Sequence, residues 1–123
     1  MIKDHHLLEG VWTIEGESDL DLPESSSVLI FEGFRIFGGN AHYIFLGTYN
    51  LKNDRVNGQI EVLEYRDTLS SPIKRAAFVC SGDFTLPRLL MEGSTQGKPQ
   101  SPVRLMLTRR MDLPRSPLPN AHA

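Results

Sequence analysis

Cysteine is almost missing from this 123-residue chain. Cys80 stands alone in the apolar run AAFVC, so no internal disulfide can form and a hydrophobic core must hold the fold. A buried, inert thiol in a reducing compartment is the expected state. Long apolar runs are missing too, and none approaches the roughly 18 residues of a membrane-crossing helix. The opening residues MIKDHHLLEG lack the apolar stretch of a secretory signal, so a cytoplasmic location is expected. Gly38-Gly39 opens no helix, and no Gly-Lys-Ser or Gly-x-Gly-x-x-Gly follows it, which argues against a phosphate loop.

Chemistry-bearing clusters are equally scarce. His5 and His6 would face opposite sides of a strand, and no His/Cys/Asp group has metal-ligand spacing. His42 has no serine or cysteine beside it in a supporting motif. Glu61 with Glu64, and Glu15 with Glu17, read as the solvated faces of strands. Neither an enzyme nor a cofactor is expected. The C-terminal arginines 104, 109, 110 and 115 are basic, but no helix-turn-helix or basic strand with interleaved aromatics accompanies them. Direct nucleic-acid binding is not expected, and nor is membrane insertion.

What the chain does have is turn grammar. Hydrophobic residues at 40% and charged residues at 23% suit a soluble globular protein, and the length suits one domain. Helical periodicity is nearly absent. Turn signals instead divide the chain into eight short runs of strand character: residues 7–14, 26–33, 34–39, 42–50, 57–66, 74–84, 88–94 and 102–110. Glu32-Gly33 predicts a tight hairpin, and NLKNDRVNG supplies the Asn, Asp and Gly that tolerate positive φ between the fourth and fifth strands. Eight consecutive antiparallel strands fit an all-β, up-and-down barrel over residues 1–112, because closure removes both adhesive edges. A β-sandwich is the alternative. The tail, residues 113–123, is proline-rich and expected to be disordered.

Charge and alternation suggest three surfaces. Residues 1–33 hold eight acids and one base, whereas residues 34–123 hold twelve bases and seven acids. The loop acids Glu15, Glu17, Asp19, Asp21 and Glu24 therefore form a candidate face for a basic protein partner. The fourth strand is apolar on both sides, with Ile44 and Leu46 one way and Tyr43, Phe45 and Tyr49 the other. A strand of this kind needs cover on both faces, so the three aromatics are a candidate dimer or partner face. Trp12, Phe31, Phe37, Ile44 and Phe78 are candidates to line the barrel interior, which at eight strands is filled by side chains or holds one small ligand.

The order of these features resembles a known family. It comprises Gly10, Trp12 and Thr13 in the first strand, Glu32-Gly33, Ile36, Gly38-Gly39-Asn40, Tyr43, and Gly47-Thr48-Tyr49. Gly58, the FxxSGxF run from Phe78 to Phe84, Glu92-Gly93, and Leu105 to Arg109 follow. Over roughly residues 8–111 the chain is similar to the GrlR-like family, named for the negative regulator of type III secretion genes in enteric pathogens. The resemblance implies a small lipocalin-like barrel, homodimeric and cytoplasmic, that represses by binding a transcriptional activator rather than DNA. The family's Glu-Asp-Glu-Asp surface run is replaced here by NLKNDRVNG, so that activator-binding site is not carried over. Two functions are expected from different classes: a non-enzymatic regulator acting through protein binding, or a lipocalin-like carrier of a small apolar ligand.

Overall fold

A computed structural model describes residues 7–18, 27–65 and 73–114, with the backbone alone for 15–18, 74–75 and 98–101. Its strands are β1 (Gly10–Ser18), β2 (Ser27–Glu32), β3 (Arg35–Gly39), β4 (Tyr43–Lys52), β5 (Arg55–Glu64), β6 (Ile73–Thr85), β7 (Arg88–Thr95) and β8 (Lys98–Met111). Each pairs antiparallel with its sequence neighbour, and β8 returns to β1 to close an up-and-down barrel. This excludes the sandwich.

Alternation decides which residues face inward. In β2, Ser27, Leu29 and Phe31 are buried, while Val28 and Glu32 are exposed. The period-2 pattern of a strand allows one face to meet the core and the other to meet solvent. The inward set includes Trp12, Phe31, Phe45, Tyr49, Phe78, Met91 and Leu107. Trp12 and Tyr49 both stack on Phe31, each with a centroid separation of 5.1 Å, so three aromatics form one continuous packing unit. Gly38 permits β3 to lie tightly on β2, since a Cβ there would run into the Val28 carbonyl.

Two connections differ from the sequence reading. The six-residue segment expected between the fourth and fifth strands, 51–56, is only a two-residue turn, Asn53-Asp54, at φ 56° and 62°. Asn and Asp tolerate this left-handed conformation, so the strands run on to Lys52 and from Arg55. The last strand also starts earlier, at Lys98, because Gly97 (φ 82°) makes the preceding turn tight. The final strand ends at Met111; of the expected tail, residues 115–123 lie outside the described residues.

Candidate functional site

The structure distributes the candidate interior residues over both sides of the wall. Trp12, Phe31 and Phe78 are inside, with 0%, 0% and 3% exposure. Phe37 and Ile44 are not. Phe37 sits in register between Ile30 and Leu46, and Ile44 between Gly39 and Leu63, all on the outward parity of their strands. The partner-face aromatics move the other way. Phe45 and Tyr49 are buried in the core, and Tyr43 packs against it. The face expected to be covered by a partner is thus the inner face of β4, covered by Phe31, Val62 and the rest of the barrel.

The other face of β4 is the one left outside. Ile44 and Leu46 join apolar neighbours in two cross-strand rows. One row runs Val11, Ile30, Phe37, Leu46. The next brings Val28, Gly39, Ile44 and Leu63 together. Val28 and Leu46 are 43% and 44% exposed, and the rest are half-buried among one another. Such a contiguous outward apolar surface on a closed barrel is a candidate interaction face. The sequence signal for it was the unbroken run Val28–Phe31, which cannot alternate and so must place apolar groups outside.

Leu8 and Glu9, just before β1, plug one end of the barrel. Leu8 is fully buried, and its carbonyl accepts the Trp12 indole N–H at 2.8 Å. The Arg109 guanidinium grips the Glu9 carbonyl through Nε and Nη2 at 3.0 and 2.7 Å. Gly10 is held as glycine by its φ of 152° and by the backbone of β8, since a Cβ there would lie 2.7 Å from the Met111 carbonyl oxygen. The Glu9 carboxylate accepts the Gly33 N–H at 2.8 Å, tying this plug to the β2–β3 turn. Phe34 in that turn holds φ 65° and rests on Tyr49 at 5.5 Å. Beneath it the Tyr49 hydroxyl is buried, and among the described residues its contact with the Phe34 backbone falls short of a full hydrogen bond. Burial pushes its pKa up to about 12, with negative Glu9 adding and the Phe34 backbone opposing. Burial likewise pushes the Cys80 thiol up to about 11, which keeps it protonated and inert.

The opposite end depends on Asn40. Its Oδ1 accepts the His42 and Tyr43 N–H groups at 2.8 and 3.0 Å, and its Nδ2 donates to Ser27 Oγ at 2.9 Å. The Tyr65 hydroxyl donates to the Asn40 carbonyl at 2.8 Å. His42 itself is exposed, with only its backbone in this network. Of the acidic candidates, Glu15 and Glu17 lie in β1 opposite Met106 and Arg104, with nothing described of their side chains. Asp19, Asp21 and Glu24 lie outside the described residues. Among the described residues no His/Cys/Asp/Glu group could hold a metal ion. No protein-family model matches the chain, and no curated protein matches it significantly.

Proposed function

We propose that this protein is a non-enzymatic regulator that works by binding proteins, assembling as a homodimer and capturing a transcriptional activator. The motif likeness to GrlR-like repressors of type III secretion genes supports this reading. The observation that carries it is the outward apolar surface of β1–β5, with Leu46 and Val28 its most exposed members. A closed barrel offers no free strand edge, so a partner has to be held by side chains, and this is the apolar wall available for it. The sequence also carries five acids over residues 15–24, a composition suited to a basic partner.

The small-ligand reading lacks a comparable observation. Trp12, Leu29, Phe31, Leu89, Met91 and Leu107 have no accessible surface at all, so no water-sized space borders them. The test of the favoured reading uses a reporter for the activator's target promoter together with light scattering. Leu46→Asp is expected to abolish both dimer and repression. A variant with Glu17, Asp19 and Asp21 changed to Ala is expected to keep the dimer and lose the activator. Repression that survives Leu46→Asp would refute it.

A further inference from the structure

Below residue 47 the outward positions of β4 change character. Thr48 faces Gln59 of β5, and Gln59 faces Val79 of β6. In the next row Asn50 faces Asn57, which faces Ser81, which faces Glu92 of β7. These side chains surround an outer depression of about 530 Å³. That volume lies within the range of small-molecule sites.

The chemistry of the lining is selective. Among the described residues its polar side chains are amides and hydroxyls with one carboxylate, and no cation lines it. The Asn57 amide donates to Asn50 Oδ1 at 3.2 Å, and Arg55, beside the rim, donates to Ser81 Oγ at 3.4 Å while paired with Asp83 at 3.0 Å. These bonds fix the direction of three of the groups. Gln59, Thr48 and Glu92 make no hydrogen bond or ion pair among the described residues, so their polar atoms are available. Val79, half-exposed, gives one apolar spot among them.

A phosphate or carboxylate ligand would face Glu92, and the rim cation Arg55 is already paired with Asp83. An apolar ligand would cover amides without replacing their water hydrogen bonds, which disfavours it. A neutral polyhydroxylated ring satisfies every element. Its hydroxyls donate to Glu92 and to the Gln59 carbonyl oxygen, accept from the amide N–H groups, and leave a C–H face for Val79. We propose that this depression on β4–β7 binds a neutral carbohydrate, in the form of a short oligosaccharide. The site adjoins the apolar wall, beginning at Thr48 one outward position beyond Leu46, but does not depend on the protein-binding reading.

The test is a 1H–15N NMR titration of the full chain with cellobiose, maltose and lactose at millimolar concentration, with inorganic phosphate as the fourth probe. At least one disaccharide is expected to give saturable shifts centred on Thr48, Asn57, Gln59 and Glu92. Gln59→Ala and Glu92→Ala should each weaken it by roughly tenfold, with thermal unfolding unchanged, as for one lost polar contact. Leu46→Asp should leave it intact. No saturable shift with any disaccharide, shifts centred elsewhere, equal response to phosphate, or indifference to both substitutions would each overturn the site.

Discussion

Replacing Asn40 with Ala removes three side-chain hydrogen bonds that together fasten β2, the β3–β4 turn and the start of β4. At about 1 kcal/mol per bond, and with buried Ser27 left short of a partner, a loss of roughly 2–3 kcal/mol is expected. Urea unfolding at constant m-value measures it, and a loss below about 1 kcal/mol would show the network to be dispensable. Two buried titrating groups make alkaline pH a second probe. The folded state disfavours ionised Cys80 and ionised Tyr49, whose pKa values rise from 9.0 to about 11 and from 10.0 to about 12. The unfolded chain therefore binds fewer protons in these windows, and stability falls as pH rises from about 9 to 12. Within its window each group contributes a slope of about 1.4 kcal/mol per pH unit. Tyr49→Phe should flatten the upper part of the decline and Cys80→Ala the lower part. A stability curve of unchanged shape in both variants would contradict the assignment.

Elements form here because turn residues and alternation agree. Asn53 and Asp54 hold left-handed conformations between β4 and β5, so Asn53→Val is expected to destabilise by about 1–2 kcal/mol, read from the urea midpoint. The same turn explains a misreading of the sequence. Asn50, Lys52 and Arg55 look like loop residues, yet Leu51 and Val56 continue the inward alternation of Tyr49 and Gly58. Polarity at the outward positions hid a longer hairpin. The two faces of β4 posed a different difficulty, because both are apolar and parity alone assigns neither to the core. The decision belongs to the neighbours: Phe45 meets Val62 across the β4–β5 hairpin, and Tyr49 stacks on Phe31 across β3. Trp12 and Phe31 were legible as core from their own strands. Asn40 and Arg109 were visible as motif residues, but the Arg109 bond spans 100 positions and follows from closure, while the Asn40 bond to Ser27 spans 13 and follows from the register of β2 on β3.

At the scale of the whole molecule, closure removes strand edges and leaves recognition to the outer wall. That wall is divided between the aliphatic rows around Leu46 and the amide-lined depression beside Gln59. Half of this division was readable in the sequence, since VLIF in β2 and the doubly apolar β4 required cover on two sides. Which side remained outside was not. The central claim is that the aliphatic wall is an association surface. Light scattering on the intact chain at micromolar concentration, compared with Leu46→Asp, tests it most directly. The account predicts twice the 13.8 kDa chain mass for the unmodified protein and the single-chain mass for the folded variant. A 13.8 kDa species for the unmodified protein, or a dimer that Leu46→Asp leaves untouched, would contradict it.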